Sequence, residues 1–199
     1  ATAAALLLVV LLAVPSALST YWINVLTAVT IYSVVALGLG LLMGRVGLVS
    51  LGQIAVLALG AWVAARLAFA TSISFPLVLL FAGTITMVLG TLVGLPALRL
   101  SGLYLALITL MLAGAITVVL TTTNFPNGGA GFLGHTESSF GNPAVRRPDI
   151  ATTDPAYFRY TVIVAALMFA LVFWHVRSRP GRAWAAIRQS EPAALAAGV

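Results

Sequence analysis

The feature that most limits what this chain can become is the recurrence of apolar segments from its first residues to Val176, with no Asp or Glu before Glu137. A helix rises about 1.5 Å per residue, so about 20 apolar residues cross a hydrocarbon core of about 30 Å. Six segments approach that requirement: 3–18, 23–43, 54–69, 76–95, 103–120 and 159–176. The 7% of charged residues is far below the roughly 25% of a soluble domain. The expected fold is therefore all-α, a polytopic transmembrane helical bundle. The chain has no cysteine, which excludes disulfides and thiolate metal sites. Its net charge of +6 comes from arginine with no lysine. The arginines stand at the ends of apolar segments or in one loop, so membrane orientation explains them and nucleic acid is not an expected partner.

The first segment is short and expected to break at Pro15, and the chain begins at Ala1 without Met, so a start inside the first span is expected; a signal peptide would need a basic leader that is missing here. Tyr21 and Trp22 suit an interfacial anchor before the second segment. That segment leads into GLGLLMGRVGLVSLGQ, from Gly38 to Gln53. Glycines at this density either let helices approach closely or let the backbone leave the helix beside protein or a cavity. Ser50 and Gln53 favour a functional element, because an amide in hydrocarbon needs a partner and is expected to face the bundle interior. Arg66, near the end of the third segment, is expected to snorkel. In the fifth segment Tyr104, Thr109 and Thr117 are the polar exceptions, and threonines there commonly bond their own backbone. Ser50, Gln53, Tyr104 and Thr109 are the candidate pathway residues.

Residues 121–157 form the one long polar connection, expected outside the cell. Its Gly128–Gly134 stretch is not a Walker loop, which requires a lysine. Placing Arg45, Arg99, Arg177, Arg179, Arg182 and Arg188 in the cytoplasm satisfies the alternation of six spans; Arg146, Arg147 and Arg159 run against it. No span carries an acid, so ion coupling through intramembrane carboxylates has no groups to use, although coupling through broken-helix carbonyls stays open. His135 and His175 are isolated, and zinc needs three or four ligands. No hydrolase triad or HExxH pattern is present. The chain is expected not to be an enzyme, and any energy for transport is expected from another subunit.

The terminal stretch 178–199, SRPGRAWAAIRQSEPAALAAGV, is the polar exception. Pro180 and Gly181 are expected to break from the sixth span. Arg182–Gln189 then forms a short helix with Trp184 and Ile187 on one side, and Ser190 caps a second helix opened by Glu191 and Pro192. An interfacial amphipathic helix and a docking helix both fit these residues.

This stretch resembles the cytoplasmic EAA-type loop of ABC importer permeases, in the form found in branched-chain amino acid permeases of the LivM type. GLVSLGQIAVLALGAWVAARL, from Gly47 to Leu67, and LRLSGLYLALITLM, from Leu98 to Met111, are similar to two further segments of that family, and NFPNGGAGFLG is a weaker counterpart of its glycine-rich loop. The resemblance implies a permease half in the bacterial plasma (inner) membrane, multi-pass, with its C-terminal segment cytoplasmic. It implies pairing with a second permease subunit, two ABC ATPase subunits and an extracytoplasmic solute-binding protein. ATP and Mg would be held by the ATPases, with no cofactor or metal in this chain. It assigns ATPase coupling to Gly181, Arg182, Arg188, Glu191, Ala193, Ala194 and Gly198. The chain departs from the general loop where Pro192 separates the acid from the alanines, and Trp62 stands where the family often has Tyr. Such permeases continue beyond the position of Val199, so an incomplete copy is expected. Permeases of the same superfamily for urea, short amides or simple sugars would share the loop. A non-ATP-coupled channel or scaffold would not need it.

Overall fold

The computed structural model describes residues 2–47, 50–71, 73–97, 102–122, 147–196 and 198. Among them the chain is helical, with no strand: α1 Thr2–Ala17, α2 Thr20–Leu41, α3 Gln53–Ala70, α4 Phe75–Ala97, α5 Gly102–Thr122, α6 Asp154–Arg177, α7 Arg179–Gln189 and α8 Glu191–Ala196. A π-helical turn, Leu42–Val46, extends α2, and a 3₁₀ turn, Asp149–Ala151, precedes α6. Among the described residues four helices are long and apolar enough to cross a membrane: Thr20–Val46, Gln53–Ala70, Phe75–Leu92 and Asp154–Arg177. Tyr104–Leu120 is a shorter apolar helix. Large apolar side chains such as Leu80, Met87, Met111 and Phe173 stand exposed along these helices, which suits lipid as the solvent. Most of the long connection, including His135 and Glu137, lies outside the described residues, as do Arg99 and Arg146.

The chain forms two compact units, one of residues 1–47 with 147–199 and the other of residues 48–146. In the first, Ile23 of α2 meets Phe158 and Val162 of α6, and Val10, Leu11 and Val14 of α1 pack against them. Pro15 does not break α1, contrary to expectation; the helix runs through it to Ala17. A proline has no N–H for the carbonyl four residues earlier, here that of Leu11. Arg159 of α6 supplies the missing donor, its Nε reaching Leu11 O at 3.1 Å. This contact explains an arginine that ran against the orientation pattern. Arg147, a second such arginine, pairs with Asp154 at 2.5 Å and lies over the Tyr157 ring. Thr153 caps α6 by accepting from the Ala156 N–H, with Pro155 in the first turn.

The second unit packs α3 against α4 and α5. Ala55 and Val63 of α3, Val78 and Ala82 of α4, and Leu105 and Ala106 of α5 are its buried apolar residues. Arg66 corrects the sequence expectation. Rather than snorkelling, it is 0% exposed, because its spacing from Ala55 and Val63 puts it on the buried face of α3. Its guanidinium lies 5.4 Å from the centre of the Phe69 ring, so the side chain is held within the protein.

Candidate functional site

The terminal helices are built onto the ends of α2 and α6. The break after α6 falls at Ser178, two residues earlier than expected. Ser178 is in extended conformation, its N–H reaches the carbonyls of Trp174 and His175, and its Oγ donates to His175 O at 2.6 Å. Two of the last carbonyls of α6, those of Trp174 and His175, are thus satisfied within the elbow. Pro180 and Gly181 do not break the chain. They lie in the first turn of α7, where proline's missing N–H is an orphan donor in any case. Gly181 is buried against the backbone of Val176, and a Cβ would collide with the Val176 carbonyl. Arg182 reaches back to Arg177 O at 3.2 Å. The elbow between α6 and α7 is therefore closed by backbone contact on the inside and by two side chains at its ends.

The other end of α7 is tied to α2. The π-turn closes with Gly47 N–H donating to Leu42 O at 3.0 Å, and Gly47 then takes a left-handed conformation with φ of 80°. A helix that stops this way leaves its last carbonyls without intrahelical donors. Arg188 Nη1 donates to one of them, Gly44 O. A cation at a helix C-terminus also complements the helix dipole. Glycine at 47 serves both needs: it adopts the positive φ, and a Cβ there would press to 3.3 Å from Arg188 Cγ. The backbone at Gly47 leaves the helix, one of the two outcomes the glycine run allowed. Close packing does not hold at Gly40 and Gly44, where a Cβ would meet nothing within 4 Å.

Along α7 and α8 the apolar residues are unequally covered. Trp184 is half-buried, whereas Ile187 is 41% and Leu195 67% exposed, so the expected shared apolar side is only partly covered within this unit. Ser190 is extended and accepts the Ala194 N–H at 2.9 Å through its carbonyl. Ala194 is buried, and Gly198 has φ of 77° with its N–H on Leu195 O. The side chains of Glu191 and Ala193 lie outside the described ones.

The candidate pathway residues divide. Thr109 is buried and its Oγ1 accepts the Leu51 N–H at 3.0 Å while donating to Ala106 O at 3.0 Å. It therefore bonds its own helix, as threonines do, and also fixes the entry to α3. Ser50 Oγ accepts from Gly52 N–H at 3.3 Å, and Gln53 opens α3 half-buried. Thr117, by contrast, donates to Ala113 O within α5 and is exposed. Tyr104 is 72% exposed. Five positions at about 100° each turn it well away from Thr109, so it does not join the Ser50–Gln53 cluster. His175 Nδ1 lies 2.9 Å from Leu171 O on its own helix, and among the described residues no three His, Cys, Asp or Glu side chains gather as a metal site.

The family described as "Branched-chain amino acid transport system / permease component" matches residues 21–199, from the start of α2 through the terminal helices. The chain belongs to this family. It is a multi-pass membrane protein of a transport-permease family. It is 30% identical over 213 residues to the high-affinity branched-chain amino acid transport system permease protein LivM of Salmonella typhimurium (strain LT2), covering 97% of this chain and 50% of that protein. It is 28% identical over 215 residues to the protein of the same name from Escherichia coli (strain K12), with the same coverages of 97% and 50%. The chain thus spans about half the length of the curated relatives it matches. No solved structure matches it. The sequence missed the Arg188–Gly44 contact, the Pro15–Arg159 compensation and the burial of Arg66. Pro15 carried a local signal, since a mid-helix proline implies a freed carbonyl four residues before it, and the glycine run around Gly47 carried a second.

Proposed function

We propose that this chain is a permease subunit of an ATP-driven importer for branched-chain, apolar amino acids. It forms the translocation pathway with a second permease and couples to two cytoplasmic ATPases through α7 and α8. ATP and Mg belong to those ATPases, and an extracytoplasmic binding protein delivers the solute. The single observation that carries the reading is the family match over 21–199, which includes the terminal helices. The way those helices are held supports it. α7 is joined to α6 at the Ser178 elbow and to α2 at Arg188, and α2 packs on α6. A push on α7 therefore reaches two spans as one rigid body, the kind of movement by which a docked partner changes a membrane pathway. Exposed Ile187 and Leu195 offer apolar surface for that partner.

The test is solute-stimulated ATP hydrolysis in a reconstituted complex of the permease, its ATPases and its binding protein. Leucine, isoleucine or valine should stimulate hydrolysis, and Glu191→Arg or Gly198→Val should reduce that stimulation at least tenfold, the latter because φ of 77° strains any β-branched residue. Membrane insertion should remain normal. Unchanged hydrolysis in both variants would sink the coupling role, and stimulation by urea, short amides or sugars instead would reassign the solute.

A further inference from the structure

Two cavities in the first unit share one cation. One, of about 320 Å³, lies between α2 and α6 and is lined by Leu37, Gly40, Phe169, Val172 and Phe173 among others, with Arg45 as its one charged residue. The other, of about 440 Å³, lies under α7 and is lined by Gly44, Arg45, Ala185, Arg188 and Gln189. The first is apolar and set among residues of two membrane-spanning helices. The second is more polar, carries two arginines, and is set where those helices end. Nothing lies within 4 Å of a Cβ built on Gly40 or Gly44, so the absence of two side chains keeps the space open. Among the described residues lining either cavity none is acidic, and among the described residues no carboxylate pairs with Arg45. Beside Arg45 and Arg188, the Arg177 guanidinium lies 4.0 Å from the centre of the ring of Phe173, a lining residue of the first cavity.

We propose that these two cavities, adjoining at Arg45, together bind one anionic phospholipid, with its phosphate at Arg45 and an acyl chain between α2 and α6. Neither half alone would select such a ligand. A free anion gains from Arg45 and Arg188 but leaves the apolar cavity unfilled. A zwitterionic lipid fills the apolar cavity but carries no net charge to set against the arginines. An anionic phospholipid satisfies both, with the apolar-to-cationic order matching that from bilayer interior to surface. The lipid would lie against the same α2 terminus that Arg188 holds. The site stands whether or not the chain transports an amino acid.

Native mass spectrometry of the full chain in detergent, titrated with phosphatidylglycerol and phosphatidylcholine of matched acyl chains, tests this. The wild-type chain should retain phosphatidylglycerol about fivefold better, the scale expected for one arginine near a membrane surface. Arg45→Gln should bring the ratio close to one, while Arg45→Lys keeps the preference. Gly40→Leu, which places a side chain where none now stands, should lower retention of both lipids with helicity unchanged by circular dichroism. Equal retention of the two lipids by the wild type, an unchanged ratio in Arg45→Gln or undiminished retention in Gly40→Leu would overturn the assignment. Displacement of phosphatidylglycerol by millimolar inorganic phosphate would also overturn it, as the site would then recognise a free anion. So would failure to retain any lipid, as when protein covers the groove.

Discussion

Arg188→Ala tests whether α7 holds the end of α2. In the native chain Arg188 donates to Gly44 O, a carbonyl left over because Gly47 turns away from the helix. A hydrogen bond to a charged group contributes about 1.5–3 kcal/mol, and the exposure of Arg188 places this one at the lower end. Loss of about 1.4 kcal/mol corresponds to about a tenfold rise in local opening. The amides that report it are at the helix end, where Leu42 N–H bonds to Gly38 O and Gly47 N–H bonds to Leu42 O. Hydrogen–deuterium exchange of the full chain in nanodiscs should therefore quicken about tenfold in peptides covering 38–47. Peptides from α3, α4 and α5 should be unaffected. Arg188→Lys should fall between the two, since an ammonium supplies charge without the planar fork. Unchanged exchange in 38–47, or equal acceleration throughout the chain, would refute the clamp.

Two further outcomes are expected from the packing within each unit. Arg159→Ala should destabilise the chain by about 1–2 kcal/mol, because the carbonyl freed by Pro15 loses its donor; in a Pro15→Ala background, where residue 15 has an N–H, chemical unfolding in mixed micelles should show much of that loss recovered. Thr109→Val, which removes the acceptor for the part-buried Leu51 N–H, should cost about 1 kcal/mol of stability by the same unfolding measurement, and Thr109→Ser, which keeps the hydroxyl, should recover most of the loss.

The all-α membrane class was legible because it depends on the length and apolarity of segments, and these can be counted along the chain. The glycine-rich run signalled a departure from regular helix, and the structure places that departure at Gly47, where φ is positive. The terminal stretch announced two helices by its composition, but the boundary was misplaced. Pro180 and Gly181 look like breakers, yet proline is tolerated in a first turn and Gly181 is required by the nearby Val176 carbonyl. Periodicity says which residues share a face, but in a membrane helix nearly every face is apolar, so it does not say which face is covered. For that reason Arg66 looked like a snorkelling end residue and is buried.

What the sequence determined by itself was therefore the solvent of the chain, its helices and the polar character of its terminus, all of which follow from local chemistry. What only the tertiary structure decided was which orphaned backbone group Arg159 and Arg188 serve. Leu11 O goes to Arg159 and Gly44 O to Arg188, across 148 and 144 residues of sequence. Proline and a left-handed glycine create such acceptors locally, but the donor that satisfies them is set by how α1, α2, α6 and α7 pack.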